Sequence, residues 1–233
     1  MSGQDIQIQA HDGGSFSAYL ASPKSGQGPG LLVIQEIFGV NAGMRHICDH
    51  YASLGYFALS PDIFWRQEPG VQITDKTRGE WDKAFQLYSG LDVGLCVKDL
   101  VSTLTHLRHV KGCSGKVGVT GYCLGGKLTY LMACRSDADA AVSYYGGGID
   151  QSLEDAPKIK KPILLHLAME DEYINTEARA AIHKALGPNP LVTIHDYPGV
   201  QHAFARPDGQ HYDARAATLA NRRSEDFFAR HLK

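Results

Sequence analysis

Length, composition and charge set the first limits on this chain. It has 233 residues, of which 43% are hydrophobic and 21% charged, so it can bury a sizeable core and is not expected to be disordered. The formal net charge of -2 excludes the concentrated positive charge that nucleic acids or membrane surfaces require of a partner. We therefore expect one compact domain over residues 1–233.

Helix and strand signals alternate along the chain, with Gly and Pro between them. Predicted strands at 6–10 and 16–21 flank Asp12-Gly13-Gly14, which is typical of a hairpin turn. The apolar run 30–35 indicates a buried strand, and a helix over 44–54 and a strand over 56–60 follow. The remaining predictions are helices at 74–89, 92–109, 124–134, 176–186 and about 213–231, and strands at 116–120, 140–145, 162–167 and 191–197.

This order of elements predicts the fold class. A hairpin followed by repeated strand–helix units indicates an α/β architecture, with a mostly parallel sheet, an N-terminal antiparallel hairpin and helices on both faces. In such sheets the chemistry lies at the carboxyl ends of the strands. Candidate functional residues are therefore sought directly after each predicted strand.

The cysteines and the N-terminus bear on the compartment. Five cysteines are scattered without a C-x-x-C pair, which favours free thiols in a reducing compartment and argues against a zinc site or a disulfide framework. The first residues carry neither a basic nor an apolar signal region, and the apolar runs are too short to span a bilayer. We expect a cytoplasmic protein with no membrane partner, no metal and no cofactor.

The sequence Gly121-Tyr122-Cys123-Leu124-Gly125 carries the strongest functional signal. It is a G-x-C-x-G motif between a predicted strand and a predicted helix, the context of a nucleophile elbow. The sharp turn leaves no room for Cβ atoms two residues either side of the nucleophile, where both residues are glycine, and the helix N-terminus favours a thiolate. The N–H of Leu124 would face the developing oxyanion. The alternative is a buried cysteine among packing glycines.

A thiol nucleophile needs a base, and the base needs a group that orients it. In hydrolases with the α/β-hydrolase fold, to which the nucleophile elbow belongs, the chain order is nucleophile, acid, histidine. Three carboxylates compete directly after the strand 162–167, and Asp171 is preferred over Glu170 and Glu172. His202 lies in a glycine-containing loop after the last strand, where the base is expected, whereas the other histidines lie within predicted strands and helices or near the chain end.

With these residues in place, the sequence resembles the dienelactone hydrolase (carboxymethylenebutenolidase) family over essentially its whole length. The segments that carry the resemblance are 35–41 (QEIFGVN), 60–64 (SPDIF), 121–126 (GYCLGG), 144–146 (YYG) and 199–206 (GVQHAFAR). The pair GYCLGG and QEIFG is a highly specific combination.

The resemblance implies hydrolysis of an enol-lactone through a thioester acyl-enzyme. It implies that Glu36 contacts the resting thiol and helps to form the thiolate, and that the N–H groups of Ile37 and Leu124 form the oxyanion hole. It also implies that Arg206 pairs with a substrate carboxylate, which suits a planar guanidinium, and that Tyr145 lies among the substrate-binding residues. A buried carboxylate at position 36 needs a partner or a role, and the alternative is an exposed strand end.

Two departures from the family pattern concern the pocket. A second arginine and a tyrosine that hold substrate in the family fall, by ungapped count, at Trp81 and Phe85, and Ala203 replaces a common serine after the histidine. Arg78, one turn before Trp81, is a candidate replacement for the missing arginine. Trp81 and Phe85 lie at i and i+4, so they either line the pocket or pack in the core.

Three functions fit the residues. The leading hypothesis is a cysteine-dependent hydrolase of an enol-lactone that carries a carboxylate. A second hypothesis, suggested by the apolar replacements, is a broader carboxylesterase or thioesterase. A third is an inactive binding protein that senses a small acid or lactone, although a pure binder has no chemical reason to keep the triad and Glu36 together. In each case we expect a monomer whose partner is a small molecule.

Overall fold

The computed structural model describes residues 3–233. Its strands are β1 (Gln4–Gln9), β2 (Ser15–Ala21), β3 (Gly28–Ile34), β4 (Phe57–Pro61), β5 (Cys113–Tyr122), β6 (Ala140–Tyr144), β7 (Ile163–Ala168) and β8 (Val192–Tyr197). Its helices are α1 (Ala42–Ser53), α2 (Arg78–Ser89), α3 (Val93–Arg108), α4 (Leu124–Arg135), α5 (Thr176–Leu186) and α6 (Ala214–Leu232), and a 3-10 helix covers Asp150–Lys158.

The strands form an eight-stranded, mostly parallel sheet in the order β1-β2-β4-β3-β5-β6-β7-β8. The N-terminal pair β1–β2 is antiparallel, as is β2–β4, whereas β3–β4, β6–β7 and β7–β8 are parallel. The predicted sheet and its N-terminal hairpin are confirmed. No helix within residues 3–233 is long and apolar enough to cross a membrane.

Contacts divide the chain into two compact units, Met1–Gly118 and Val119–Lys233, and the boundary falls inside β5. The first unit contains the hairpin, β3, β4 and helices α1 to α3. The second contains the end of β5, the strands β6 to β8 and helices α4 to α6. The expected organisation as a single domain stays a prediction.

In the first unit, helix α2 begins four residues later than the prediction of 74. The reason is a capping box, in which the Thr77 side chain accepts the N–H of Glu80 at 3.3 Å and donates to its carboxylate at 2.8 Å. The N–H of Thr74 also donates to Glu80, at 2.9 Å, which holds residues 74–77 outside the helix. A helix was therefore correctly predicted here and its end at residue 89 agrees, but its predicted start at residue 74 was wrong.

The hairpin turn of the first unit is tied to α3 by charged side chains. Asp99 on α3 accepts from the guanidinium of Arg66 at 2.9 and 3.0 Å and contacts His11 at 2.9 Å. The same guanidinium bonds Asp12 at 2.7 Å. His11, Asp12 and Asp99 are spaced closely enough to ligate a metal ion, but both carboxylates already bind the positive charge of Arg66. The cluster is therefore an ion-pair network.

In the second unit, α4 is buried almost all round, with ten of its twelve residues buried, as expected of a helix inside a core. The strand predicted over 140–145 ends at Tyr144, because Tyr145 turns into the left-handed region with φ of 38°. The 3-10 helix was not predicted, since Pro157 and a polar sequence hide it. Arg135 of α4 pairs with the buried Asp155 of the 3-10 helix, and this ion pair joins the 3-10 helix to α4.

Candidate active site

Cys123 lies in the sharp turn between β5 and α4 that the motif predicted. Its φ of 55° and ψ of -115° are unfavourable for any residue with a side chain, and the surrounding backbone holds it there. Its N–H donates to the carbonyl of Tyr144 at 3.1 Å, and its own carbonyl accepts the N–H of Gly126 at 2.9 Å. The turn thus projects a half-buried thiol from the start of α4.

Two glycines of the segment 121–126 (GYCLGG), one in the motif and one directly after it, are required by close backbone contacts. A Cβ on Gly121 would lie 2.3 Å from the carbonyl oxygen of Gly125. A Cβ on Gly126 would lie 2.4 Å from the carbonyl oxygen of Tyr144 on β6. Any larger residue at either position would therefore displace the turn or the neighbouring strand.

Asp171 and His202 meet in the second unit, each following a different strand. Asp171 comes three residues after β7, and His202 lies in the loop that follows β8. The Nδ1 of His202 is 2.9 Å from Oδ2 of Asp171 and 3.0 Å from Oδ1. Both side chains are buried, whereas the competing Glu170 and Glu172 are exposed. Among the three carboxylates, burial and the bond to His202 single out Asp171.

The electrostatics of His202 differ from those of an ordinary buried histidine. Burial lowers its pKa, but the charge of a Cys123 thiolate and the carboxylate of Asp171 outweigh that effect and raise the pKa to about 10. Its second ring nitrogen, Nε2, is buried and forms no hydrogen bond within residues 3–233. The Cys123 sulfur nevertheless acts on the ring, and Nδ1 is taken by Asp171, so Nε2 is the nitrogen that can carry an exchangeable proton.

Two tyrosines contact the His202 ring from the edge. Tyr145 lies with its ring centroid 5.1 Å away, and Tyr173 lies 4.7 Å away, both in T-shaped geometry. Tyr145 has no solvent-accessible surface, so at the position expected to bind substrate the structure places a ring packed against the imidazole. Tyr173 is 46% exposed. Sequence reasoning missed Tyr173; its one signal was its place two residues after the proposed acid.

Leu124 and Arg206 are the other predicted site residues of the second unit. Leu124 is the buried first residue of α4, directly after Cys123. Arg206 is half-buried, and its N–H donates to the carbonyl of Ala203 at 2.9 Å, four residues after His202. Ala203 itself adopts a positive φ of 60°, so the loop turns sharply directly after the histidine.

Glu36 and Ile37 lie in the first unit, directly after β3, and both are buried. The burial of Glu36 is inconsistent with the alternative of an exposed strand end. The loop that carries them is fixed further along, because the N–H of Ile73 donates to the carbonyl of Phe38 at 3.0 Å. Gly39 has φ of 79° and lies so close to the carbonyl of Val71 that a side chain cannot fit there.

The residues at the family's substrate-clamping positions form an aromatic cluster in the first unit. Trp81 packs edge-on against Phe38 at 5.1 Å and stacks on Phe85 at 5.6 Å. Phe38 is buried and Phe85 is exposed, so the cluster runs from the Glu36–Phe38 loop to the surface. Arg78 is 94% exposed and lies 3.9 Å from Asp82 one turn along α2.

A second buried histidine of this unit, His166 on β7, is bonded through both ring nitrogens. Its Nε2 lies 2.9 Å from the Ser224 hydroxyl and its Nδ1 lies 2.8 Å from the Tyr197 hydroxyl. Burial, with the charges of His195 and Arg223, holds the pKa of His166 well below its usual range. These bonds and this pKa are those of a structural histidine rather than a proton carrier.

Comparison with known proteins places the chain in a family. The family model described as "Dienelactone hydrolase family" matches residues 16–232. A carboxymethylenebutenolidase of Pseudomonas putida is 38% identical over 226 residues, covering 97% of this chain and 96% of its own. A carboxymethylenebutenolidase of Cupriavidus pinatubonensis is 34% identical over 224 residues, covering 96% and 95%.

Solved structures agree on the fold. A crystal structure from Klebsiella pneumoniae superimposes with a TM-score of 0.86 at 26% identity and covers 97% of this chain and 98% of its own. A dienelactone hydrolase from Anabaena variabilis gives a TM-score of 0.71 at 19% identity, with both chains fully covered. The chain belongs to the dienelactone hydrolase family and is a hydrolase with the α/β-hydrolase fold.

Proposed function

We propose that this protein hydrolyses a carboxylate-bearing enol-lactone, or a similarly activated ester, through a thioester on Cys123. One observation carries the proposal: the strained elbow cysteine shares a unit with a buried His202 that is bonded to Asp171 and whose pKa is raised in part by the charge of Cys123. A raised imidazole pKa beside a thiol favours an ion pair of thiolate and imidazolium. Such a pair is the activated form of a cysteine nucleophile.

In the first half-reaction the Cys123 thiolate attacks the carbonyl carbon, and the carbonyl electrons move onto oxygen. The N–H of Leu124, at the N-terminus of α4, stabilises this oxyanion, and we assign the second donor to Ile37. The C–O bond then breaks and an enolate leaves. It takes the proton from Nε2 of His202, so that a thioester and a neutral imidazole remain.

In the second half-reaction the neutral His202 takes a proton from water as the water oxygen attacks the thioester carbonyl. The C–S bond breaks, and the acid product leaves with the thiolate and imidazolium restored. Asp171 holds the imidazole tautomer through Nδ1 in both steps. Glu36 is assigned to the resting state, where its buried carboxylate would control formation of the thiolate.

The test compares two half-buried cysteines of this chain. Cys123→Ala should lower kcat/KM for an enol-lactone such as dienelactone by roughly 10⁴-fold or more. Cys113→Ala, the matched control at the start of β5, should retain full turnover. Turnover that persists in Cys123→Ala would refute the cysteine mechanism. Saturable binding without product in the wild type would favour the sensor instead.

Recognition of the substrate carboxylate is assigned to Arg206, since its guanidinium can bond both carboxylate oxygens. Arg206→Met should raise KM for a carboxylated lactone by roughly tenfold to a hundredfold, the loss of a charge-assisted bond. Hydrolysis of p-nitrophenyl acetate, which has no carboxylate, should be unaffected. An equal loss on both substrates would remove Arg206 from carboxylate binding.

A second candidate, a broader carboxylesterase, is favoured by the Phe38–Trp81–Phe85 cluster, which offers aromatic surface where the family has an arginine and a tyrosine. An enzyme of this kind would cleave p-nitrophenyl esters efficiently and ignore the carboxylated lactone. The ratio of kcat/KM for dienelactone and p-nitrophenyl acetate decides between the two candidates.

A further inference from the structure

Tyr173 combines three features that no assigned role explains. Its ring lies 4.7 Å from that of His202, it is 46% exposed, and it follows Asp171 by two residues. His202 is otherwise enclosed, with 4% of its surface exposed, and its other aromatic neighbour Tyr145 is fully buried. Of these two tyrosines that contact the imidazole, Tyr173 is the one that is also exposed to solvent.

The backbone of Tyr173 is held in place by the same carboxylate that orients His202. Oδ1 of Asp171 accepts the N–H of Tyr173 at 2.9 Å and that of the buried Ile174 at 3.2 Å. On its other side, the Cβ of Tyr173 lies close to Gly147. If that glycine carried a Cβ, the two Cβ atoms would be 3.5 Å apart. The ring therefore projects from a fixed base, and only its side-chain torsions are free.

The chemistry of the imidazole determines what passes beside this ring. In the proposed reaction, Nε2 of His202 gives its proton to the leaving oxygen and then takes one from the attacking water. Both oxygens must reach the imidazole, whereas the acyl substituent lies on the far side of the carbonyl carbon. Burial, the charge of Glu172 and the charge of Cys123 raise the pKa of Tyr173, so the phenol also lies within electrostatic reach of the nucleophile.

We infer that Tyr173 is a specificity-determining residue that forms the wall of the leaving-group side of the site. This inference rests on the proposed function, because it needs His202 to act as the proton carrier. The aromatic ring limits the size of the departing group that fits between Cys123 and His202. It should not influence the length of the acyl chain.

The test uses two substrate pairs that separate these sides. Phenyl acetate and 2-naphthyl acetate share the acyl group and differ in leaving-group size. The p-nitrophenyl esters of acetate and butyrate share the leaving group and differ in acyl length. Tyr173→Ala should raise the naphthyl-to-phenyl ratio of kcat/KM about tenfold and leave the butyrate-to-acetate ratio within about twofold. Tyr173→Phe keeps the ring and should leave both ratios unchanged.

Tyr212→Ala is the matched control, since Tyr212 is 44% exposed and lies in the loop before α6. It should alter neither ratio. Unchanged ratios in Tyr173→Ala, or a change confined to the acyl pair, would overturn the inference, even though turnover still depends on Cys123. If turnover of all four esters survives in Cys123→Ala, the proposed function itself fails. The two failures are thus distinguished by separate variants.

Discussion

Two histidines of the second unit are almost equally buried but differ in their pKa and in their hydrogen-bond partners. His202 and His166 expose 4% and 0% of their surface. Burial disfavours the charged form of both, yet the pKa of His202 rises to about 10 while that of His166 falls well below its usual range. The difference lies in the partners: His202 faces Asp171 and Cys123, and His166 faces two hydroxyl groups. The charge of the partners, rather than burial, decides which histidine is protonated.

The bonding of the two rings differs in the same way. His166 uses both nitrogens to join β7 to β8 and α6, through Tyr197 and Ser224. His202 bonds Asp171 through Nδ1, and its buried Nε2 has no hydrogen bond of standard geometry, although the Cys123 sulfur acts on the ring. A buried polar atom without a partner lowers stability, and such atoms persist where function requires them. Variants at the two rings can therefore test whether charge or burial sets their behaviour.

The largest effect is expected for His202→Gln. Removal of the proton carrier should lower kcat/KM for an activated ester by roughly 10³-fold to 10⁴-fold. His166→Phe, the matched change at the other buried histidine, should alter kcat/KM less than about fivefold because neither ring nitrogen takes part in the reaction. Steady-state kinetics on the two variants checks this. A comparable loss in both would mean that packing, and not proton transfer, explains the sensitivity.

Asp171→Asn should come next. The variant keeps the shape of the acid but removes its charge, so the pKa of His202 should fall towards its ordinary value and kcat should drop by roughly 10²-fold to 10⁴-fold. Titration of His202 by NMR, together with kcat, measures both effects. The prediction fails if the pKa of His202 stays high in the variant. Glu172→Gln, at the exposed neighbour, is the control and should leave the triad chemistry intact.

The pH dependence of stability should separate the two histidines. The pKa of His202 is raised on folding, so its contribution is full below about pH 6.5 and is lost as pH rises towards 10. The pKa of His166 is depressed, so its contribution is present above about pH 6.5 and is lost as pH falls below that value. Urea unfolding across this range should therefore lose its alkaline slope in His202→Gln and part of its acid slope in His166→Phe. Identical pH profiles in all three proteins would refute the contrast.

At neutral pH, His166→Phe should lower the free energy of unfolding by about 2 kcal/mol, since the buried hydroxyls of Ser224 and Tyr197 each lose a partner. Equilibrium denaturation measures this change. No loss of stability would mean that the two hydroxyls find other partners in the variant.

The smallest effect is expected for a surface histidine. His183 on α5 pairs with Asp196 at 2.9 Å, and both side chains are partly exposed to solvent. His183→Ala should change the free energy of unfolding by no more than about 0.5 kcal/mol and leave turnover unaltered. A larger loss would show that an ion pair can stabilise this chain without burial.

Part of the candidate site could be predicted from the sequence alone. Chain order and loop position were enough to find Cys123, Asp171 and His202 as candidates, because each follows a strand whose apolar pattern is plain. The structure adds the bond between Asp171 and His202 and excludes its two acidic neighbours by exposure. Their catalytic roles remain predictions until the variants are measured.

Other features could not be predicted because they depend on side-chain packing between distant segments. Tyr145 stays a predicted substrate-binding residue, and neither its positive φ after β6 nor the T-shaped contact of its ring with His202 could be predicted from the sequence. Tyr173 carries no motif, and its contact with His202 arises only when β7 and β8 lie side by side. The late start of α2 is different, because Thr77 and Glu80 have the T-x-x-E spacing of a capping box, a local signal that the helical periodicity alone did not include.

The central claim is that the reaction passes through a thioester on Cys123. The most direct measurement is mass spectrometry of the enzyme, acid-quenched during turnover of p-nitrophenyl acetate and then digested. If the thioester forms, we expect one added acetyl group, confined to the peptide that contains Cys123 and absent in Cys123→Ala. Turnover with no acetylated peptide, or acetylation on a residue other than Cys123, would contradict it.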